Sequence, residues 1–204
     1  MITEHSVSAL KLRELADLTG IQLPHLSKHF KNKPDTEVRR SAKQVTGILP
    51  GAVETLLRSR GHVDIFRPGV YLTNSQCGGT AKTTTTINLA YSFSRLSDRA
   101  TYPIVILDID SQASCTLQLL GDVEEELPVL VDFVEGRVKD IKDLAVPVGE
   151  NIFLIPSSLD NAYLQGAVAN PKKVKELGGK IIRDLFSAFA IDGRLNVYSG
   201  EAAS

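Results

Sequence analysis

The sequence predicts an α/β protein: an incomplete parallel sheet flanked by helices, preceded by a small all-α module. Three observations carry this reading. Helical periodicity around a turn glycine fills the stretch Leu12–Phe30. Short β-rich runs alternating with helix-period segments fill most of the chain beyond residue 69. Charge divides at the same place: residues 1–69 hold 11 Lys and Arg against 7 Asp and Glu, and the remainder holds 12 against 17.

A chain of 204 residues and 22.2 kDa accommodates one ordinary α/β domain plus a small accessory domain. The expected boundaries are 1–68 and 69–204. Hydrophobic content of 43% with 23% charged residues fits a soluble globular protein and excludes wholesale disorder or a fibrous chain. No apolar run reaches the ~18 residues of a membrane span, so no membrane partner is expected. Met1 to Leu15 carries Glu4, Lys11, Arg13 and Glu14 and has no apolar centre, which excludes a signal peptide. Cys77 and Cys115 form neither a metal-type spacing nor a disulfide framework. A reducing cytoplasm is the expected location. The basic front, which also holds His5, His25, His29 and His62, suggests contact with nucleic acid.

The front module contains a short repeat. Leu18-Thr19-Gly20-Ile21-Gln22-Leu23-Pro24 recurs as Val45-Thr46-Gly47-Ile48-Leu49-Pro50. Leu12, Leu15, Ala16 and Leu18 share a helical face ahead of the first glycine. Gly20 can supply the positive φ that ends that helix. Leu23 to Phe30 reads as a second helix with Leu26 and Phe30 turned inward. This helix–turn–helix resembles that of small bacterial regulators. On that reading Gln22, His25, Ser27 and Lys28 face the DNA groove, with Lys31 and Lys33 near phosphates. The alternative is a plain helical hairpin. The second copy, continuing through Leu56, Leu57 and Arg58, is expected to pack beside the first. Lys31 to Asp35 reads as the turn between the copies, and Gly61 to Pro68 as the link to the body.

The body opens with a β-rich run, Val70-Tyr71-Leu72-Thr73. Asn74-Ser75-Gln76-Cys77-Gly78-Gly79-Thr80-Ala81-Lys82-Thr83-Thr84 follows, and then an amphipathic helix through Ile87 to Phe93. Strand, glycine-rich loop, Lys-Thr and helix are the order of a phosphate-binding loop. Glycines let backbone N–H groups converge on an anion, and the lysine adds a fixed charge. The following hydroxyl ligates Mg²⁺, and the helix N-terminus favours the phosphate. Tyr102 to Leu107 is a second strand, ending in Asp108-Ile109-Asp110-Ser111-Gln112. Aspartates at i and i+2 at the end of a parallel strand point the same way and can address a metal and an attacking water. Asn151 to Ser157 is a third strand. Leu159 to Val168 and Lys172 to Phe189 read as helices. Glu124-Glu125-Glu126 reads as a solvated loop, and Cys115 as a buried small residue near a helix start.

Together, the loop and the Asp108-Ile109-Asp110-Ser111-Gln112 run resemble the ParA/MinD family of P-loop ATPases, and most of all the ParA partition ATPases with a helix-turn-helix domain ahead of the loop. The resemblance implies a P-loop NTPase-type sheet, ATP and Mg²⁺ as cofactors, and a site carried over position by position. Gly78, Gly79, Thr80 and Ala81 would cradle phosphate. Lys82 would bind the β- and γ-phosphates, Thr83 would ligate Mg²⁺, and Thr84 would contact the α-phosphate. Asp110 would position or activate the attacking water, with Asp108 in the second shell of the metal. It also implies an ATP-dependent homodimer associated with the nucleoid. Such a dimer would bind DNA, work with a ParB-like centromere-binding protein in plasmid or chromosome segregation, and repress its own operon through the front module.

The sequence departs from that family at three places. Cys77 stands where the family has a lysine that reaches across the dimer. Ala81 stands where it has the glycine before the catalytic lysine. The family's strand ending in D-x-P-P is not found after Phe189, where the chain reads Asp192 to Ser204. The resulting expectation is the N-terminal part of such an ATPase, truncated at its C-terminal end and without measurable hydrolysis. A non-catalytic DNA-binding regulator with a decayed phosphate loop, and a non-functional fragment, are the alternatives.

Overall fold

The computed structural model describes residues 9–62, 69–73, 79, 81–96, 103–121, 127–161 and 171–189. The chain builds two helices first, α1 (Leu12–Thr19) and α2 (Leu23–Phe30). Gly20 takes φ +69° and its amide reaches Ala16 O at 2.8 Å, so the left-handed residue ends α1 as the sequence predicts. Leu15, Leu26 and Phe30 are fully buried. Leu18 is not: it is 48% exposed and does not share the inward face expected for it. The reason is angular: the inward stripe runs through Leu12, Leu15, Ala16 and Thr19, and at 3.6 residues per turn Leu18 falls roughly 110° from its centre.

The front module is not all-α. In place of the expected all-α module the chain makes a hairpin between the helices, β1 (Val38–Ser41) with β2 (Gln44–Ile48), and the second repeat runs through β2. Leu10 adds a reciprocal backbone bridge to Ile48, at 2.9 and 2.8 Å. The two glycines of the repeat therefore answer different demands. Gly20 supplies a left-handed turn, whereas Gly47 lies in a strand so close to its neighbour that a Cβ would meet that of Ala9 at 2.7 Å. Helix α3 (Pro50–Ser59) follows, with proline in its first turn. Its Val53, Leu56 and Leu57 join Leu15, Leu26, Phe30, Val38 and Ile48 in one core, so the second copy does pack beside the first.

Helix α4 (Lys82–Ser94) leads into a three-stranded sheet of order β3-β5-β4. Strands β3 (Ile104–Leu107) and β5 (Ile152–Ile155) pair in parallel, and the two-residue β4 (Val146–Pro147) closes antiparallel on β5. Alternation sorts the side chains to two faces. Ile106, Ile152 and Leu154 pack with Ile87 and Ala90 of α4 and with Cys115 of α5 (Ser114–Leu120). Val105, Leu107 and Ile155 face α6 (Leu130–Val134), the short 3₁₀ turn Ile141–Leu144, and α7 (Pro171–Phe189). Helix α7 presents Leu177, Ile181, Leu185 and Ala188 at helical spacing to that face.

Three expectations for the body change. Val70 to Thr73 forms no strand, and Val70, Tyr71 and Leu72 are 64%, 70% and 79% exposed. Among the described residues no strand is paired with this run. Of the helix expected over Leu159–Val168, a 3₁₀ turn covers Leu159–Asn161, and the rest lies outside the described residues, as do Glu124 to Glu126. The sheet also carries an antiparallel edge, β4, in place of purely parallel pairing.

The two parts of the molecule touch at the far end of α4. Arg95, its C-cap, ion-pairs with Glu14 of α1 and donates to Ala9 O at 3.4 Å. Leu96 packs against the core of the front module.

Candidate functional site

Helix α4 runs antiparallel to β3 and β5. Near its C-terminal end the Tyr91 hydroxyl donates to Val148 O at 3.2 Å, and Val148 sits just ahead of β5. Thirteen helical residues span about 20 Å at ~1.5 Å each, more than the length of a four-residue strand. The start of α4 at Lys82 therefore lies toward the C-terminal ends of β3 and β5, the end where Asp108, Asp110 and Ser157 also sit. That edge is where ligands bind in doubly wound sheets.

At the loop, Gly78 and Thr80 lie outside the described residues, as does Cys77. Gly79 takes φ +70°. Ala81 is the N-cap of α4 and sits in the left-handed region, at φ 57° and ψ 25°. A side chain there costs roughly 1–2 kcal/mol that glycine would not. Thr85 N donates to Ala81 O at 2.8 Å, closing the first turn. The loop ends are tied by a 2.6 Å hydroxyl contact between Thr73 and Thr86. Lys82 and Thr83 are half-buried and Thr84 is exposed. The residues of the loop motif that are described thus stand at the start of a 13-residue helix whose free amides and dipole suit an anion.

The two aspartates do not share one environment, contrary to the expectation that both point at one metal and water. Asp108 is buried and turned into the protein. Its Oδ2 accepts Thr116 N at 2.9 Å and Thr116 Oγ1 at 2.8 Å, and its Oδ1 accepts Asp110 N at 3.2 Å. Asp110 is exposed, with Oδ1 accepting Gln112 N at 3.0 Å. Its carboxylate is the one available at the strand end.

Sequence reasoning missed the frame around this pair. Thr116 Oγ1 accepts Ser157 N at 2.9 Å, and Ser157 Oγ donates to Asp110 O at 2.6 Å. The ends of β3 and β5 are thereby cross-linked through α5. Ala113, the N-cap of α5, is again a non-glycine residue in the left-handed region, at φ 51°. The spacing of Thr116 eight residues after Asp108 puts it in the first turns of a helix, but no sequence pattern couples it to Ser157. Cys115, beneath this network, is buried as expected, and burial followed by the Asp108 charge pushes its thiol up to about 11. It is an inert packing residue.

Among the described residues no group of three or more His, Cys, Asp or Glu could hold a metal. A divalent ion here would depend on Thr83 and on ligand phosphates, the manner in which Mg²⁺ is usually held. Among the described residues no helix is long and apolar enough to cross a membrane.

The proposed DNA-facing residues lie together. Gln22 is the N-cap of α2, and His25, Ser27 and Lys28 follow on it; all four are exposed.

A family model described as an AAA domain matches residues 70–187, more than half of the chain. No curated protein matches. Among solved structures the chain is similar to an ATP complex of a substituted McdA from Cyanothece, at 24% identity and TM-score 0.46 over 55% of this chain and 41% of that one. It is also similar to cobyrinic acid a,c-diamide synthase from Mycobacterium smegmatis with an ATP analog and magnesium, at 25% identity and TM-score 0.41 over 53% and 44%. The ADP and magnesium form of that synthase gives TM-score 0.42 at the same identity and coverage. The chain spans less than half the length of these proteins.

Proposed function

The chain belongs to the AAA domain family, as a P-loop ATPase of the ParA/MinD type, and from that premise we propose that it is a ParA-like partition protein that binds MgATP and duplex DNA. The observation that carries this reading is positional. The start of α4, with Lys82 and Thr83, and the exposed Asp110 occupy the same end of the sheet. Lys82 would hold the terminal phosphates, and Thr83 would ligate the magnesium ion. Mg²⁺ would supply charge neutralisation between the phosphates. Asp110, held by Ser157 and Gln112, would orient a water. The front module would read DNA through Gln22, His25, Ser27 and Lys28. ATP-dependent self-association, a ParB-like partner, a role in segregation, autorepression and a place on the nucleoid belong to the same reading.

A second reading has its own support. Ala81 occupies a left-handed position with a Cβ, and Cys77 cannot supply a cation. Each loss of a preorganised charge at such a site costs about 2.7–4 kcal/mol, or 10²–10³ in rate. The chain then acts as a DNA-binding regulator that holds nucleotide without turning it over. Phosphate release from the purified chain separates the two. No release above background, with or without DNA, is expected from the regulator. Turnover that disappears in Asp110→Ala identifies the ATPase. Duplex binding tests the front module: alanine at Gln22, Ser27 and Lys28 is expected to weaken it by ~1–3 kcal/mol per base-reading contact. An unchanged affinity would reduce the module to a scaffold.

A further inference from the structure

We infer that the chain's own tail, Leu195-Asn196-Val197-Tyr198-Ser199, adds to the sheet as a further parallel strand, in a slot between β3 and the exposed run Val70 to Thr73. The tail lies outside the described residues, and described residues frame the slot.

One wall is the open edge of β3, whose single partner is β5. Ile104 N donates to Asn151 O at 2.8 Å and Asp108 N to Ile155 O at 3.1 Å, so the even-numbered residues bond toward β5. In a parallel ladder the alternate residues turn their amides and carbonyls the other way. Val105 and Leu107 therefore present backbone groups to the open edge, with no backbone partner among the described residues. Both stay half-buried although their side chains pack on the α7 side, whereas Ile106 between them is buried.

The other wall is the run Val70 to Thr73. The Tyr71 ring lies 5.4 Å from that of Phe93 near the end of α4, and Thr73 meets Thr86 in its second turn. The run is thus antiparallel to α4 and parallel to β3. Thr86 and Phe93 lie roughly 80° around α4 from Ile87 and Ala90, which pack with Ile106. At the distance at which a helix packs on a sheet, that angle exceeds the ~4.8 Å between adjacent strands. Run and β3 lie under one helix without pairing, and the gap between them fits one strand.

Helix α7 delivers the tail to this gap. Ile181 packs in the cluster of Ile155, and Phe189 meets Phe153 with ring centroids 5.3 Å apart. Phe153 is level with Val105, so α7 runs antiparallel to the strands and ends where a parallel strand would begin. Ala190 to Arg194, with Asp192-Gly193 inside it, has the length and turn chemistry of a helix-to-strand link. The far edge of β5 is taken by β4, which leaves the β3 edge. Helices on opposite faces keep the right-handed crossover by leading in opposite directions. Helix α4 leads from the run across to β3, and α7 leads back to the gap between them. A strand with helices on both faces is uncharged as a rule. Leu195 to Ser199 falls in the uncharged stretch between Arg194 and Glu201.

Hydrogen exchange of the full chain, read by NMR at the Val105, Ile106 and Leu107 amides, tests this. Ile106 is the internal control, because its amide points to β5. All three are expected to be protected in the parent. Val197→Pro removes an amide and fixes φ in the added strand. It should speed exchange at Val105 and Leu107 by ~10-fold or more while Ile106 stays slow. Ala203→Pro, beyond the strand, should change none of them. Fast exchange at Val105 and Leu107 in the parent overturns the inference, as does protection that survives Val197→Pro. Protection that grows with chain concentration also overturns it, because a second copy then fills the slot. If Val197→Pro loosens Ile106 too, a photo-reactive benzoylphenylalanine in place of Tyr198 decides the matter. A cross-link within one chain to Val70–Thr73 or to β3 supports the placement. A cross-link elsewhere, one between chains, or none overturns it.

Discussion

The left-handed residue that ends α1 and those that start α4 and α5 are built differently. In the front module the residue that ends α1 is glycine, and nothing crowds the site where a Cβ would stand. At the sheet end the residues that start α4 and α5 are Ala81 and Ala113, in nearly the same backbone conformation. The first arrangement is relaxed and supports a closed core. The second carries strain at both helices that border the candidate phosphate site. Strain of this kind persists where the surrounding structure over-determines the backbone, here through the Thr73–Thr86 contact on one side and the Asp108–Thr116–Ser157 network on the other. The front module is held chiefly by its apolar core, whereas the site is held by polar links between loop and strand ends.

The largest expected effect breaks the first half of that contrast. Phe30→Ala empties a fully buried position and should destabilise the front module by ~3–5 kcal/mol in urea unfolding. A loss under a third of that would show that the module does not depend on this core. Thr116→Val attacks the second half. It removes a hydroxyl that donates to buried Asp108 and accepts from Ser157, for an expected ~1–3 kcal/mol. A wild-type melting curve for this variant would dissolve the network's importance.

Cys115 offers a pH test of the same region. Its thiol is raised from 9.0 to about 11 in the folded chain, so the folded state keeps the proton longer than the unfolded state. Stability from this group is fully present below pH 9 and falls as pH rises from 9 toward 11. Alkylation of Cys115 should stay slow in the native chain across that window. Fast labelling at pH 8 contradicts the burial.

Much of this was legible in the sequence, and the exceptions have physical causes. Gly20, Leu26 and Phe30 behave as their spacing predicts, because a glycine turn and a 3.6-residue period are local signals. The β1–β2 hairpin was hidden, since its turn carries Ala42-Lys43 where Asn-Gly would have announced it. Its glycine mimicked the helical turn of the first repeat while answering the nearness of Ala9. Val70 to Leu72 has strand composition, but composition does not supply the pairing that makes a strand, and among the described residues the run is unpaired. At the site, the lysine, threonines and aspartates were readable as a motif. The inward turn of Asp108 was not, because it depends on Thr116 and Ser157, brought together only by the sheet.

The matched pair Gly20→Ala and Ala81→Gly sharpens the opening contrast. The first should cost ~1 kcal/mol or more and the second should gain about as much, read from the same unfolding assay. Equal signs would mean that the two turns are not alternative solutions to one backbone problem. Glu14→Gln, which weakens a partly exposed ion pair to Arg95, should cost less than ~1 kcal/mol. Glu14 is held below its ordinary carboxyl range by the Lys11 amide and then by Arg95, so its small contribution is lost as pH falls through that lowered value.

The central claim is that the start of α4 is a phosphate site in this chain. Calorimetric titration of MgATP into the full chain, Lys82→Ala and Ala81→Gly tests it most directly. The account predicts weak saturable binding by the parent, no binding by Lys82→Ala, and tighter binding by Ala81→Gly. Absence of binding in all three, or parent affinity retained by Lys82→Ala, would contradict it.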